Sequence, residues 1–164
     1  MKSLRKILPV LLLLLVVLFL LPPARGTEGT PSAATETQQT YTADQNGQRK
    51  LSEDGSYTTR EDVTAYLVQY GHLPGNFVTK KEAEKAGWNG GSLQEVLPGK
   101  CIGGDYFGNY ENQLPKAKGR TWYECDINTL GKKSRGAKRL IYSSDGLIYY
   151  TNNHYESFSL VYSP

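Results

Sequence analysis

The stretch RTWYECDIN, residues 120–128, indicates which kind of sheet this chain builds. Side chains alternate between the two faces of a strand, so Trp122, Glu124 and Asp126 are predicted to share one face. The opposite face then holds Cys125. Two carboxylates on one strand need cations on neighbouring strands, because crowded or buried charges are costly when unpaired.

Four similar runs accompany this one after Lys100. All five are rich in Ile, Tyr, Trp, Phe and Thr, with polar and apolar side chains alternating: CIGGDYF, RTWYECDIN, AKRLIYSS, LIYYT and YESFSLVY. The Asp145-Gly146 pair between two of the runs is a strong hairpin signal. The pattern predicts a five-stranded antiparallel sheet.

Before Lys100 the sequence carries helix signals instead. Capping-box-like pairs predict three helix starts, at Thr59 with Asp62, Thr79 with Glu82, and Ser92 with Glu95. The three helices are predicted to end at Gly71, Gly87 and Pro98, respectively. Helices followed by strands predict an α+β domain whose N-terminal helices pack on one face of the sheet.

Composition divides the chain into three parts. Residues 1–26 have a basic start, an apolar run and small residues at the end, which is typical of a secretory signal peptide; an uncleaved anchor is the alternative. Residues 27–56 have almost no large apolar side chains and predict a disordered linker or pro-segment. Residues 57–164 remain for one domain. The expected location is extracellular, without stable membrane association once the signal peptide is removed.

The chain has two cysteines, Cys101 and Cys125. An exported protein meets oxidising conditions, so a disulfide between them is expected; two buried thiols are the alternative. No Cys/His spacing resembles a metal site, and neither a metal nor a cofactor is expected.

Positive charge is concentrated in KKSRGAKR, residues 132–139, although the net charge of the whole chain is only +3. Five cations without an acid suggest an anionic partner, whereas a solvated basic loop is the plainer reading. Arg135 and Arg139 are the nearest cations for Glu124 and Asp126. These four residues are predicted to converge on one sheet face, with a surface ion-pair ladder as the alternative.

His154 favours a catalytic interpretation of that face. An antiparallel meander would bring it beside the strand that bears Arg139. A carboxylate, an imidazole and two arginines around one concavity suit cleavage of RNA. The carboxylate takes a proton from the ribose 2′-OH, the imidazolium gives one to the departing 5′ oxygen, and the arginines stabilise charge on the phosphate.

Five stretches follow one another along the chain: LPGNFVTKKEAEKAGW, PGKCIGGDYFGN, GRTWYECDIN, RLIYSSDGLIYYT and HYESF. In this order they resemble the barnase-like family of small extracellular bacterial ribonucleases. The resemblance extends from about Val63 to Val161. It implies the microbial ribonuclease fold and guanyl-preferring, cyclising endoribonuclease activity on single-stranded RNA.

The resemblance also implies roles for residues at the centre of the site. Glu124 would be the general base and His154 the general acid. Lys80, Arg135 and Arg139 would bind the scissile phosphate, and Arg139 would also stabilise the transition state.

Further residues are implied in substrate binding and support. Tyr155 would position substrate, Asp126 would orient the arginines and Asp105 would support Lys80. The base-recognition loop would consist of Phe107, Gly108, Asn109, Tyr110 and Glu111, with Glu111 accepting hydrogen bonds from guanine. The sequence departs from the family pattern at Tyr110, where an arginine is usual, and at Gly108, where a serine is usual.

Partners follow from the same resemblance: an RNA substrate and a barstar-like acidic intracellular inhibitor, for a monomeric enzyme. Two other functions stay open. A secreted module could bind single-stranded nucleic acid through cations and aromatic rings, and the chain has 12 tyrosines. A ribonuclease domain could also serve as a toxin. The presence of both Glu124 and His154 favours an enzyme over a pure binder.

Overall fold

The computed structural model describes residues 42–43 and 49–164. The predicted signal peptide at 1–26 and most of the predicted linker lie outside these residues. Among the residues described, no helix is both long enough and apolar enough to cross a membrane.

The described part contains two helices and two sheets. A two-stranded antiparallel sheet pairs β1 (Thr42–Ala43) with β2 (Arg49–Lys50). The main sheet has the strand order β3-β4-β5-β6-β7-β8. The bounds of its strands and of the helices are α1 Arg60–Tyr70, β3 Phe77–Val78, α2 Lys80–Lys85, β4 Cys101–Tyr106, β5 Trp122–Asp126, β6 Arg139–Ser143, β7 Ile148–Thr151 and β8 Ser159–Tyr162.

The α+β fold class is confirmed. Strands β4 to β8 form the predicted antiparallel meander, and the two-residue β3 adds a sixth strand that runs parallel to β4. Asp145-Gly146 lies in the β6–β7 hairpin, where Gly146 has a φ of 95°. This left-handed conformation is one that glycine adopts without steric cost.

Two of the three predicted helices form. Thr59 caps α1 by accepting from the Asp62 N–H, and Thr79 and Glu82 make the capping box of α2. The third prediction is wrong, since residues 92–99 form turns. The Ser92 hydroxyl accepts from the N–H two residues on and donates to the carbonyl of Lys132, 2.8 Å away. It therefore ties two loops together instead of capping a helix.

A hydrophobic core holds α1 against the main sheet. Val63, Tyr66 and Leu67 of α1 pack against one sheet face that includes Cys125 and Leu140. Alternation places Trp122 and Ile141 on the other face, where they form a smaller core with Phe107 and Tyr155 packed against it. The second face carries the candidate site.

The folded region begins earlier than the predicted boundary at residue 57. Leu51 is 1% exposed and belongs to the core under α1. Its main chain exchanges two hydrogen bonds with the Gln69 side chain, at 3.0 and 3.1 Å. A single leucine within a polar stretch gives no periodic signal, which is why composition placed it in the linker.

The predicted disulfide is wrong in this structure, because Cys101 and Cys125 are both free and buried. The register places Cys125 opposite Gly103, so Cys101 lies two residues away along β4. Diagonal neighbours in a sheet are about 7–8 Å apart, which is too far for a disulfide. Burial raises the pKa of Cys101 and raises that of Cys125 well above its usual value. Both thiols are therefore poor nucleophiles.

Candidate active site

Asp126 joins the two arginines that the sequence placed on this face. Its strand register sets it opposite Arg139, and both side chains are almost fully buried. Arg135 donates to both carboxylate oxygens, from Nε at 2.7 Å and from Nη2 at 2.8 Å. The Nε of Arg139 lies 2.9 Å from Oδ1 but is not aimed at it, so this contact is ionic rather than a hydrogen bond. Asp126 thus orients both guanidinium groups.

Each guanidinium has further contacts that hold it in place. The hydrogen bonds that Arg135 donates to Asp126 raise the pKa of Arg135, whose guanidinium carbon lies 5.6 Å from the centre of the Trp88 ring. Arg139 donates from Nη1 to the Lys138 carbonyl at 2.8 Å and lies 6.0 Å from the Tyr155 ring. No local pattern predicts the contact with Trp88, which lies far from Arg135 along the chain.

Glu124 is buried at 6% exposure, and each of its oxygens has a partner. Lys80 Nζ lies 2.5 Å from Oε1, and the Tyr155 hydroxyl donates to Oε2 at 2.6 Å. Burial, followed by the contact with Glu124, raises the pKa of Tyr155 to about 12. The phenol therefore stays protonated at neutral pH and keeps the carboxylate in one orientation.

A bulge in β4 brings Lys80 to Glu124. The register shifts between Gly103 and Asp105, and Gly104 between them has a φ of 93°. The shift sets Asp105 opposite Glu124. Its carboxylate accepts from the main-chain N–H of Lys80, at 3.0 and 3.2 Å. Asp105 therefore supports Lys80 through the backbone at the start of α2 and leaves the ammonium free to contact Glu124.

The loop that presents His154 is held in an unusual conformation. His154 and Tyr155 have φ values of 58° and 73°, in the left-handed region. The Asn153 side chain accepts from the Thr151 hydroxyl at 2.9 Å and from the Ser157 N–H at 3.1 Å. These bonds fix the turn and leave the imidazole exposed. His154 was predicted as a site residue, whereas the contribution of Asn153 to the shape of its loop was not.

His154 borders a groove of about 550 Å³, which we call the base groove. Glu124, Lys80 and Tyr155 line the same groove. The pairing of Thr151 with Arg139 places the His154 loop at the end of the strand that bears Arg139, as the predicted meander requires. A carboxylate and an imidazole in one groove can take a proton from a bound substrate and return one to it.

The predicted base-recognition loop forms one wall of the base groove. Phe107 stacks on Tyr155 with ring centres 5.7 Å apart. Asn109, with a φ of 42°, donates from its side chain to the Leu114 carbonyl at 2.9 Å and accepts from the Leu114 N–H at 3.0 Å. Because the oxygen and the nitrogen of the Asn109 side-chain amide both bond to the Leu114 main chain, hydrogen bonds within the loop hold its conformation.

The two departures from the family pattern lie against each other in this loop. Tyr110 is 86% exposed, and a Cβ added to Gly108 would lie 2.1 Å from its ring. A side chain at 108 would therefore require the exposed Tyr110 ring to move aside. Beside them, Glu111 accepts from the Gln113 amide at 2.6 Å and faces the base groove. Gln113 was not among the predicted site residues.

Known proteins match the chain over the region that carries this groove. A family profile described as ribonuclease matches residues 60–162. A ribonuclease of Bacillus intermedius is 43% identical over 145 residues, 85% of each chain. A ribonuclease of Heyndrickxia coagulans is 50% identical over 105 residues, 63% of this chain and 95% of that one.

The name of a more distant relative states a base specificity. Guanyl-specific ribonuclease St of Saccharopolyspora erythraea is 37% identical over 57 residues, 35% of this chain and 56% of that one. The family profile covers β4 to β8, including Glu124 and His154, and the two longer alignments extend over 145 and 105 residues of the chain. Together they show that this chain belongs to the ribonuclease family.

Proposed function

We propose that this endoribonuclease cleaves single-stranded RNA by transesterification to a 2′,3′-cyclic phosphate, followed by slower hydrolysis, without a metal ion. The observation that carries the proposal is the presence of Glu124 and His154 in one groove. Glu124 takes the proton of the 2′-OH, the 2′ oxygen bonds to phosphorus, and the bond to the 5′ oxygen breaks. His154 protonates that oxygen as it departs.

The cations around this pair stabilise the negative charge that builds on the phosphate oxygens. Lys80 lies against Glu124, and Asp126 holds Arg135 in the β5–β6 loop and Arg139 on the neighbouring strand. Because these groups are fixed before substrate binds, they lose little energy to reorganisation during the reaction. Hydrolysis of the cyclic phosphate uses the same pair in reverse, with His154 activating water and Glu124 returning the proton.

The proposed base preference is guanine. Glu111 faces the base groove, where its carboxylate can accept from the N1–H and N2–H donors that guanine offers and adenine lacks. The loop from Phe107 to Tyr110, which its own hydrogen bonds hold in place, supplies main-chain groups beside Glu111 that can bind the base. The similarity to a guanyl-specific ribonuclease supports this specificity.

Glu111→Gln is expected to reduce the preference for guanosine over adenosine by about 10-fold or more, because a bidentate contact with a base edge contributes about 1–3 kcal/mol of discrimination. The measurement is kcat/KM on GpU and ApU. Glu156→Gln is the matched control, since Glu156 is exposed and lines the same groove. If the parent cleaved both dinucleotides equally, the guanine assignment would be wrong.

We further propose that the enzyme is secreted and acts as a monomer. The signal-like composition of residues 1–26 supports secretion. A producing cell would need protection from a ribonuclease that stays inside it. An acidic, barstar-like inhibitor fits this need, because carboxylates could occupy the phosphate sites formed by Lys80, Arg135 and Arg139.

A further inference from the structure

The residues just before the domain form a short loop against α1, residues 51–56, which we call the strap. Four of its six side chains are polar and exposed: Ser52, Glu53, Asp54 and Ser56. Exposed loops of small and polar residues are preferred sites of proteolytic cleavage. The main chain of the strap, however, is held by hydrogen bonds from α1 and from Tyr57.

Leu51 is held by its N–H, its carbonyl and its side chain. The N–H donates to Oε1 of Gln69 at 3.0 Å. The carbonyl accepts from Nε2 of Gln69 at 3.1 Å and from the Tyr70 hydroxyl at 2.7 Å. The side chain is 1% exposed and packs in the core with Val63 and Tyr66 of α1. All of these contacts must break before a protease can draw the Lys50–Leu51 bond into its active site.

Tyrosine hydroxyls hold the main chain of the next two residues. Tyr66 donates to the Glu53 carbonyl at 2.8 Å. Tyr57 donates to the Ser52 carbonyl at 3.1 Å and accepts from the Ser52 N–H at 2.9 Å. The Tyr57 ring lies so close to Gly55 that a Cβ on that glycine would be 2.3 Å from the hydroxyl oxygen. The strap is therefore closed on itself and fastened to α1.

Buried contacts also fix the end of the strap. Asn76, which is 4% exposed, accepts from the Tyr57 N–H at 3.2 Å and donates to the Tyr57 carbonyl at 3.0 Å. The carbonyl of Thr58 accepts from the Asn128 N–H at 2.8 Å. Opening of the strap therefore disturbs contacts on α1, at Asn76 and at Asn128 together.

The chain is held less firmly immediately before the strap. Lys50 is exposed, and β2, which contains it, pairs with the two-residue β1. A two-stranded hairpin is only marginally stable by itself, so β2 opens more readily than the strap. Proteolysis proceeds from such locally opened forms, and its rate follows their population. The adjacent Arg49 and Lys50 offer sites to proteases that cleave after basic residues.

We propose that the strap sets the limit of proteolytic maturation. A protease that cleaves after basic residues makes the last cut after Arg49, and the mature enzyme begins at Lys50 and keeps the whole strap. The cut is hydrolysis of a peptide bond, in which water supplies the hydroxyl of the new carboxyl group and the hydrogen of the new amino group. The inference goes beyond the proposed function and does not depend on the chemistry of RNA cleavage.

The first test digests the full chain with two proteases and identifies the new ends by mass spectrometry. Trypsin is expected to leave a domain that begins at Lys50. Glutamyl endopeptidase should cut the Glu53–Asp54 bond at least about 100-fold more slowly than in a free peptide of residues 49–58, because the folded chain must first open. The Glu53 side chain is 64% exposed in the folded chain, so only the held main chain accounts for this difference.

Three results of this digestion would overturn the proposal. They are a tryptic domain that begins at or after Leu51, an uncut Arg49–Lys50 bond, and equal rates at Glu53 in the folded chain and the peptide.

Two variants weaken the strap in different ways. Leu51→Ala removes the buried side chain, and Gln69→Glu keeps the shape of residue 69 but loses the donor to the Leu51 carbonyl. Each should speed the cut after Glu53 by about 10-fold or more and leave the cuts after the exposed Glu111 and Glu156 at parental rates. Val68→Ala is the matched control on α1, since Val68 is 45% exposed, and it should match the parent at all three glutamates.

The pattern across the three glutamates separates opening of the strap from loss of the whole fold. Parental rates at Glu53 in both variants, or equal acceleration at all three glutamates in both variants, would contradict the strap as a separately held element.

Expression of the full chain in a bacterial host tests maturation itself. The processed parent is expected to begin at Lys50, as read from its intact mass. Arg49→Gln removes the basic residue at the proposed last cut, so the processed variant should keep additional residues before position 49. Leu51→Ala should also yield chains that begin within or after the strap. A processed parent that begins anywhere from Leu51 to Tyr57 would show that the strap does not limit maturation.

Discussion

His154→Asn is expected to lower the turnover number for RNA by at least about 100-fold, because the variant cannot protonate the departing 5′ oxygen. Asparagine is the appropriate replacement. The φ of 58° at this position is left-handed, and asparagine adopts that region more readily than alanine. The turnover number is measured on an oligonucleotide that contains one guanosine.

A measurement of substrate affinity distinguishes a lost proton donor from a damaged site. Affinity for the same oligonucleotide with 2′-deoxyguanosine should change little, since cations dominate RNA affinity. Unchanged affinity together with lost turnover would identify a lost proton donor, whereas a matching loss of affinity would indicate a damaged site.

His72→Asn is the matched control for this substitution. His72 is exposed and faces Glu53, outside the base groove, so its replacement should keep parental turnover. Parental turnover in His154→Asn would refute the acid assignment. A parent that binds RNA without cutting it would instead establish the nucleic-acid-binding module as the function.

Asp126→Asn is expected to lower the free energy of unfolding by about 3–5 kcal/mol. Asp126 is 1% exposed and Arg139 2%, so loss of the carboxylate charge leaves a buried guanidinium without its counter-ion. Removing one partner of a buried ion pair has a cost of this size. Urea unfolding, followed by tryptophan fluorescence, measures the change.

The Arg120–Asp145 pair provides the control for that prediction. It also joins an arginine to an aspartate, at 2.6 Å, but the Asp145 side chain is 46% exposed. Exposed ion pairs contribute little, so Asp145→Asn should leave the unfolding midpoint nearly unchanged. Equal midpoints for Asp126→Asn and the parent would show that the buried carboxylate does not anchor the arginines.

Alternation along one strand was enough to predict the functional face. Side-chain direction in a strand depends only on residue parity, so Trp122, Glu124 and Asp126 could be assigned to one face without knowing the fold. The convergence of Asp126 and Arg139 was expected because the next run of the predicted meander begins at Arg139, although residues 127–138 separate the two strands. The structure places these residues as expected.

Features that depend on register between strands were beyond the sequence. The bulge at Gly104 brings Asp105 opposite Glu124. In the sequence, the adjacent Gly103 and Gly104 indicate only that a bulge is possible in this strand, not how it shifts the register. Cys101 and Cys125 lie on adjacent strands, but an offset of two residues separates them. Tertiary contact also overrode local signals at Ser92, whose hydroxyl binds the Lys132 carbonyl.

The chemical identity of the product ends tests the central claim most directly. The protein is incubated, in excess chelator, with an RNA oligonucleotide that contains one guanosine, and the fragments are identified by mass spectrometry. The account predicts a fragment that ends in guanosine 2′,3′-cyclic phosphate, later converted to the 3′-phosphate, and no cleavage when that guanosine lacks its 2′-OH. Fragments with 5′-phosphate ends, cleavage of the 2′-deoxy substrate, or activity abolished by the chelator would contradict it.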